Sequence, residues 1–386
     1  MKLSGYFRPD GKMGIRNHVL ILPSSLCASE TARYVSMNVP GSLYLPNQGG
    51  CSLGRRDYQV TLDTLTGIAL NPNVFATVII GNGCEVMQAD CLADHIRNKT
   101  TKPLEAFIIR DEGGSIKTIE KAVNTAKSLV REAGKIQREE ISISDIILGT
   151  ECGGSDPTSG LASNLVIGRC SDRLIELGGT SILSETPEML GAEHILARRC
   201  HDEVTRSKLL NMIKDCERDF KIVGEDPRNG NPTPGNIAGG ITTLEEKSLG
   251  CIHKGGNGMI QEVLEYAKWP SKKGLIIMDT PGQDIASIAG MAAAGTQVVL
   301  FSTGHGTPTG FGILPVIKIT GNRSTAISMA DHIDFDCSDI IMNGSNLNAT
   351  SDQLFHLIEE VINGKETKAE ILGFNDMSMA RYCNFA

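Results

Sequence analysis

A thiol, carboxylates and hydroxyls lie close together in the segment Thr150–Gly160, which reads TECGGSDPTSG. The segment follows a short apolar run at 144–148, and such a run ending at a glycine-rich turn is typical of a buried parallel strand. Open α/β sheets bind ligands at the carboxyl ends of these strands. We therefore expect Cys152 to bind a metal and Ser155 and Asp156 to bind substrate. The alternative is a structural turn with a buried thiol.

Two earlier strand ends carry a cysteine in the same setting. NQGGCSLG places Cys51, and GNGCE places Cys84, directly after short apolar runs. Because the carboxyl ends of neighbouring parallel strands lie on one edge of a sheet, these thiols and Cys152 are expected to converge. Thiolates are common ligands of metal ions. The pattern predicts a metal site, in which Cys27 or Cys170 could replace one of the three cysteines.

Acidic residues and a histidine follow the next predicted strand, TSIL, in the segment SETPEMLGAEH. Glu185 ends that strand, so it is a candidate general base or metal ligand. His194 is the natural acid or base partner, because the unperturbed pKa of imidazole lies near neutrality. Glu188 has an equally good structural explanation, since a carboxylate at the amino end of a helix complements the helix dipole.

Basic and polar residues in the opening segment YFRPDGKMGIRN could bind an anion. Arg8 and Arg16 bracket a turn, and Asn17 follows them directly. Guanidinium groups pair bidentately with carboxylates, so these residues are predicted to hold a substrate carboxylate. An arm over the surface is the competing interpretation.

Two glycine-rich loops complete the set of candidate binding residues. PGNIAGGITTLEEKSLG contains Asn236 ahead of a capped helix, and backbone amides at a helix terminus can bind an anion. FSTGHGTPTGFG offers His305 together with hydroxyls and backbone amides. A lone loop histidine is often incidental, so His305 is expected to contact substrate rather than to catalyse.

Composition excludes several functional classes. The chain has 386 residues, a net charge of -8 and no basic stripe, so nucleic acid binding is not expected. The amino terminus lacks an apolar signal region and no run is long enough to span a membrane. The eleven cysteines are therefore expected to be reduced thiols in the cytoplasm. No Walker A motif is present, and no GxGxxG follows the first strand.

Short apolar runs alternate with helical stretches along the chain, which predicts an α/β fold of two doubly wound, mostly parallel-sheet (Rossmann-like) domains. The charged segment REAGKIQREE suggests a boundary between residues 1–137 and 138–386. Residues 192–220 are predicted to form one long helix. Residues 225–240 hold so many helix breakers that a long functional loop is expected, and the tail is expected to be a closing arm.

Eight motifs occur in an order that resembles a known family. They are RPDGKMGIRN, the GC turn at Cys51, GCE at Cys84, ECGGSD, SETPEMLGAEH, TPGNIAGGITTLEEKSLG, STGHGTP and PVIKI. Together they resemble the altronate/galactarate dehydratase family, which also includes the sulfolactate sulfo-lyase large subunit. The resemblance covers nearly the whole chain. It departs at His305, where the family usually shows Arg, and this places altronate or galactarate as the substrate in doubt.

The resemblance implies an iron-stimulated hydro-lyase that converts a sugar acid such as altronate into a 2-keto-3-deoxy acid. Iron would be bound as Fe2+ or as an iron–sulfur cluster. The resemblance also implies a separate small SAF-domain subunit and a homo-oligomer. The alternatives within the family are (2R)-sulfolactate sulfo-lyase and a galactarate dehydratase-like enzyme. From other classes, an atypical NAD-dependent oxidoreductase and a non-catalytic scaffold subunit stay open.

Overall fold

Strands and helices alternate along the chain in the computed structural model, which describes residues 2–383. The strands, in chain order, are β1 (Leu3–Phe7), β2 (Met13–Gly14), β3 (His18–Pro23), β4 (Ser42–Tyr44), β5 (Val74–Gly81), β6 (Leu104–Ile108), β7 (Glu139–Ile141), β8 (Ile147–Cys152), β9 (Thr180–Leu183), β10 (Ile260–Leu264), β11 (Gly274–Met278), β12 (Val298–Ser302), β13 (Val316–Thr320) and β14 (Phe335–Asp336).

The helices surround these strands, and most of them connect one strand to the next. In chain order they are α1 (Leu26–Met37), α2 (Arg55–Leu70), α3 (Ala89–Arg97), α4 (Ser115–Ala133), α5 (Asn164–Glu176), α6 (Glu193–Ala197), α7 (Glu203–Ile222), α8 (Pro234–Gly239), α9 (Leu244–Cys251), α10 (Asp284–Ala293), α11 (Arg323–Ser328), α12 (Asp339–Met342), α13 (Leu347–Ile362) and α14 (Lys368–Leu372).

The first parallel sheet has four strands in the order β4-β3-β5-β6. Its central strand β5 reads VFATVIIG and is buried on both faces, as β-branched strands of parallel sheets usually are. Helices α1 and α4 pack on one face and α2 and α3 on the other. The chain turns back between β3 and β5, so a crevice opens outside their carboxyl ends.

The second parallel sheet has seven strands in the order β10-β11-β9-β8-β12-β13-β14. From β8 the chain first builds towards β9 and later returns to place β12 on the other side of β8. The reversal of strand order therefore lies between β8 and β12, which is where doubly wound sheets bind ligands. Helices α5 and α13 cover one face, and α10 covers the other.

A small antiparallel sheet in the order β2-β1-β7 joins the start of the chain to the connection between the parallel sheets. Its strands are two to five residues long. The sequence did not predict it, because such short strands show no periodicity that could be recognised.

The two parallel sheets share one hydrophobic core. Helix α2 packs so closely on α10 that a Cβ on Gly67 would lie 2.2 Å from the carbonyl oxygen of Ala293. The buried amide of Asn71 donates to the carbonyl oxygens of Ala292 and Thr296, at 2.7 and 2.8 Å. Polar and apolar contacts therefore fix the two sheets to one another.

The expected α/β class with two parallel sheets is confirmed, but two local predictions are wrong. The helix predicted over residues 192–220 is broken into α6 and α7, because Cys200 pairs with Ile260 and Asp202 then caps α7 through the amide of Thr205. The segment 225–240 is not a structureless loop. A capping box at its Thr233 starts α8 there.

The closing arm predicted for the tail contains α14 and an extended segment that follows it. Among residues 2–383, no helix is both long enough and apolar enough to cross a membrane. The predicted boundary between 137 and 138 falls directly before β7.

Candidate active site

A cluster of buried ionisable side chains lies at the carboxyl ends of β8, β9 and β11. Glu185 directly follows Ser184 at the end of β9, and its φ of 68° is a left-handed conformation that few side chains adopt. The carboxylate of Glu185 accepts a hydrogen bond from the backbone amide of Cys152 at 3.0 Å and forms an ion pair with Lys254. Burial raises the pKa of Glu185, and the nearby charge of Glu188 adds to this effect.

Glu188 makes a second ion pair beside the first. Its carboxylate lies 2.6 Å from the ammonium of Lys247 and accepts a hydrogen bond from the thiol of Cys152 at 2.8 Å. Although burial acts in the opposite direction, the positive charges of Lys247 and Lys254 lower the pKa of Glu188 to about 2. Glu188 is therefore ionised near neutral pH, and the two lysines balance the charges of Glu185 and Glu188.

Glu151, the residue before Cys152, is fully buried and accepts hydrogen bonds from the hydroxyls of Ser184 and Ser287. Burial and the charge of Glu185 raise its pKa well above the usual range. Two adjacent buried carboxyl groups cannot both ionise without a large free-energy cost. Burial and the neighbouring carboxylate therefore favour the protonated form of Glu151.

Cys152, Glu188 and Cys251 form a group that could hold a metal ion, since one ligand atom from each lies within 4.8 Å of the others. The two sulfur atoms are 3.6 Å apart. The hydrogen bond with Cys251, together with burial, raises the pKa of the Cys152 thiol well above its usual range. Lys254 also lies 3.8 Å from Glu188. A cation bound to this group would be repelled by the ammonium groups of Lys247 and Lys254, which already balance the negative charge of Glu188.

Asp284 is the partly exposed carboxylate beside this buried network. It begins α10 and lies over the turn after β8, so that a Cβ on Gly153 would be 2.1 Å from its Oδ2 atom. Burial and the negative charge of Glu185 raise the pKa of Asp284 to about 7. A carboxylate with this pKa can accept and release a proton near neutrality.

His305 lies at the crevice between β8 and β12, as expected from its loop. Its backbone amide donates to the carbonyl oxygen of Gly154 at 2.9 Å, and its Nε2 atom is 3.0 Å from the carbonyl oxygen of Gly235. The imidazole is exposed and therefore accessible to a ligand. The hydroxyl of Ser155 is also at this turn, buried and without a hydrogen-bond partner in the part of the chain that the structure describes.

Asp156 and Asn236 have internal partners. The carboxylate of Asp156 accepts hydrogen bonds from the amide of Asn322 at 2.7 Å and from Thr158. The side-chain amide of Asn236 donates to the carbonyl oxygen of Ser155 at 2.7 Å, and its oxygen accepts from the backbone amide of Thr233, which caps α8. Both residues hold the turn after β8 in place, and their contacts do not support a direct role in substrate binding.

The opening arginines are part of the interior. Arg8 is 1 % exposed and donates to the carbonyl oxygens of Pro72 and Arg16 and to the side chain of Asn17. Arg16 forms a bidentate pair with Glu370, at 2.7 and 3.0 Å. These contacts do not support the predicted substrate clamp. The sequence signal was ambiguous, because a guanidinium group pairs as well with an internal carboxylate as with a ligand.

The predicted convergence of three cysteines on one sheet edge is wrong. Cys51 and Cys84 follow β4 and β5 of the four-stranded sheet, whereas Cys152 ends β8 of the seven-stranded sheet. Each parallel sheet has its own carboxyl edge, so similar turns do not imply one site. His194 lies on the exposed side of α6, and within residues 2–383 it has no hydrogen bond or ion pair with Glu185.

Lys247, Lys254, Cys251 and Asp284 were not among the residues predicted from sequence. The first three lie on or directly after α9, which reads as an ordinary surface helix. Asp284 follows a strand that is distant in sequence from β8 and β9. Its position after the apolar run GLIIM and the turn DTPGQ was the signal that could have identified it.

Comparison with protein families gives two matches that together cover most of the chain. Residues 143–384 match the model described as D-galactarate/Altronate dehydratase, C-terminal. Residues 5–134 match the model described as D-galactarate dehydratase/Altronate hydrolase, second domain.

Individual relatives agree with these models. The (2R)-sulfolactate sulfo-lyase subunit beta of Chromohalobacter salexigens is 37 % identical over 98 % of this chain and 96 % of its own length. The altronate dehydratase of Escherichia coli is 35 % identical over 97 % of this chain and 76 % of its own length. The galactarate dehydratase (L-threo-forming) of the same organism is 32 % identical over 94 % and 73 %. The chain belongs to the D-galactarate/altronate dehydratase family.

Proposed function

We propose that this protein is a hydro-lyase that dehydrates a sugar acid, with altronate as the first candidate, to a 2-keto-3-deoxy acid. Relatives named altronate dehydratase and galactarate dehydratase support this assignment. The observation that carries the chemistry is the position of Asp284, a partly exposed carboxylate with a pKa of about 7 beside the crevice between β8 and β12.

Dehydration of a 2,3-dihydroxy acid breaks the C2–H and C3–O bonds and forms a C2–C3 double bond. A base takes the C2 proton, the electron pair of that bond forms the double bond, and hydroxide leaves C3 and is protonated to water. The resulting enol then tautomerises to the 2-keto acid. The C2 proton is weakly acidic beside a carboxylate, so the reaction needs a base of matched pKa and stabilisation of the developing negative charge.

We assign the base to Asp284. Glu185 is too deeply buried to reach a substrate, but its negative charge helps to set the pKa of Asp284, which makes Glu185 a positioning residue. We further propose that the exposed imidazole of His305 binds a substrate oxygen in the crevice. The Lys254–Glu185 pair keeps the local charge fixed while Asp284 gains and loses a proton.

We propose iron as the cofactor, which as a Lewis acid would stabilise charge on the substrate when bound. Two sets of residues in the chain could hold it. The group Cys152, Glu188 and Cys251 has suitable donor atoms, but its two lysines oppose a cation. The thiols of the first sheet are exposed or half-buried and so accessible to a metal, and we favour them.

Sulfolactate sulfo-lyase is the second candidate, because that relative matches almost its whole length to this chain. His305 also favours it, since the family resemblance places Arg at that position and this chain departs from it. That relative is named a subunit, which supports a separate small SAF-domain partner for this chain. We further propose a cytoplasmic homo-oligomeric enzyme.

Product analysis separates these candidates. The chain, anaerobically purified with Fe2+ and with any co-purifying small subunit, is incubated with altronate, galactarate or (2R)-sulfolactate, and 2-keto acid and sulfite are quantified. Release of 2-keto-3-deoxy acid without sulfite supports the hydro-lyase. Sulfite release from sulfolactate alone replaces it with the second candidate. In a parallel incubation with added NAD+, NADH formation would instead establish an oxidoreductase and overturn both.

A further inference from the structure

Three cysteines lie at the ligand-binding edge of the four-stranded sheet. Cys27 follows β3, Cys51 follows β4 and Cys84 follows β5. Strand order reverses between β3 and β5, and the crevice at such a reversal is where doubly wound sheets bind ligands. The topology therefore places all three thiols around one crevice.

Direct contacts hold the three cysteine-bearing loops together. The amide of Leu26 donates to the carbonyl oxygen of Gly49, and the amide of Met87 donates to that of Gly50, both at 2.9 Å. The hydroxyl of Ser24 donates to the carboxylate of Glu85 at 2.7 Å. These bonds connect the loop after β4 to the loops after β3 and β5.

The close approach of these loops depends on Gly50. Its φ is +88°, and a Cβ at this position would lie 2.1 Å from the carbonyl oxygen of Ser24. Glu85 fixes the third loop by accepting hydrogen bonds from the backbone amides of Asn82, Gly83 and Cys84, at 2.6 to 2.9 Å. The loops thus form a rigid frame, and the Glu85 carboxylate is already occupied.

The thiols themselves are accessible, unlike those of the second sheet. Cys27 and Cys84 are exposed and Cys51 is half-buried, whereas Cys152 and Cys251 are buried. The hydroxyl of Ser25, a residue that is 0 % exposed and lies two positions before Cys27, has no hydrogen-bond partner among residues 2–383. A buried hydroxyl without a protein partner at this edge is free to bind a ligand or an ordered water.

Each thiol also lies near the amino end of a helix. Cys27 is in the first turn of α1, and Cys51 and Cys84 lie four and five residues before α2 and α3 begin. The partial positive charge at helix amino termini stabilises anions. A cluster held by thiolates has a net negative charge, so this environment suits it.

We propose that Cys27, Cys51 and Cys84 bind a 4Fe–4S cluster, leaving its fourth iron without a protein ligand. A single tetrahedral ion requires its sulfur ligands to lie close together, as in the group Cys152, Glu188 and Cys251. Within residues 2–383, Cys27, Cys51 and Cys84 do not form a group that tight. A cluster binds each thiolate to a different iron and so accepts wider spacing.

The C-terminal arm contacts both this site and the residue before Asp284, and the catalytic role of the cluster rests on the proposed function. A Cβ on Gly49 would lie 3.4 Å from the terminal methyl of Met379. The neighbouring Ser378 donates to the side chain of Gln283 at 3.1 Å, and Gln283 directly precedes Asp284. An open iron at this edge supplies a Lewis acid site for a substrate hydroxyl or carboxylate.

Iron and acid-labile sulfide are measured on the full chain after anaerobic reconstitution with Fe2+ and sulfide, with electron paramagnetic resonance of the reduced sample. We expect about four irons and four sulfides per chain. Each of Cys27→Ser, Cys51→Ser and Cys84→Ser should lose most of the sulfide. Cys91→Ser is the matched control, since Cys91 is an exposed thiol of the same domain, and it should retain the cluster.

Thiol footprinting of the unmodified chain avoids the risk that a variant fails to fold. Iodoacetamide should label Cys91 before and after reconstitution, but Cys27, Cys51 and Cys84 only before. Equal labelling of these three thiols in both samples overturns the proposal, as does iron without sulfide that is lost only in Cys152→Ser. Hydro-lyase activity in a chain without cluster removes this inference and leaves the proposed function intact.

Discussion

Lys254 and Glu185 form an ion pair from which solvent is excluded, with side chains 1 % and 0 % exposed. When one member of a buried ion pair is removed, the remaining partner carries an uncompensated charge. The pair connects α9 with the end of β9, the two elements that enclose the buried network.

We therefore expect Lys254→Met to lower the free energy of unfolding by about 3 to 5 kcal/mol at neutral pH. The double variant Lys254→Met, Glu185→Gln should recover part of that loss, since Glu185 then carries no unpaired charge and Glu188 keeps Lys247 as its partner. Urea unfolding followed by circular dichroism measures both. Lys268→Met is the control, because its pair with Asp63 is partly exposed and should contribute less than about 1 kcal/mol.

Asp284→Asn should lower kcat by about 100- to 10,000-fold, as expected for removal of a general base. Because the pKa of Asp284 is about 7, kcat/KM of the wild type should rise with pH through neutrality. Measurements of kcat/KM from pH 5 to 9 test this rise. The residual activity of Asp284→Asn should not show it. An unchanged profile would assign the base elsewhere.

The raised pKa of Asp284 also predicts how the stability of the protein depends on pH. The pKa of Asp284 is raised in the folded state from 3.8 to about 7, so between these values the folded chain retains a proton that the unfolded chain has released. Stability from this group is therefore present at low pH and is lost as pH rises towards 7. Asp284→Asn should be more stable than wild type at pH 8 by on the order of 2 kcal/mol, measured by urea unfolding.

Gly153→Ala should displace Asp284 without removing it. The added Cβ would lie 2.1 Å from the Asp284 carboxylate and 2.7 Å from the ring of Phe301. A shift of about 1 Å in a catalytic group can cost roughly 100-fold in rate, so we expect a loss of that order in kcat. Gly230→Ala has no heavy atom within 4 Å of its Cβ and should keep wild-type kinetics.

Arg16→Met distinguishes a structural arginine from a substrate clamp. The variant leaves Glu370 partly buried and unpaired, so the free energy of unfolding should fall by about 3 kcal/mol, with KM unchanged at a temperature where the variant is folded. A tenfold or larger rise in KM with unaltered stability would restore the clamp. Arg97→Met, at an exposed pair, is the stability control.

The sequence predicted those parts of the fold that local patterns determine. Strand β13 (Val316–Thr320) and helix α4 (Ser115–Ala133) are examples, because each can be recognised from its own stretch of sequence. Their apolar residues have clear periodicity and their ends have turn or breaker residues. Glu185 was identified in the same way, because it follows a fully buried strand.

The partners of Glu185 could not be predicted, because tertiary packing decides them. Lys254 is 69 positions away from Glu185, and nothing in the sequence around it distinguishes a buried ammonium from a surface one. For the same reason the three similar cysteine turns seemed to belong together, although Cys152 lies on a different sheet. Local sequence shows that a turn is at a strand end, but not which sheet that strand joins.

The packing of α2 on α10 has a consequence for how the protein denatures. Residues of both parallel sheets, among them Leu65 and Met291, belong to one buried core. If the two sheets with their helices separated, each would expose part of this core to water. The two halves of the chain should therefore unfold in one cooperative transition. Each half expressed alone would then expose apolar surface and aggregate, and a ligand bound to one sheet would raise the melting temperature of the whole chain.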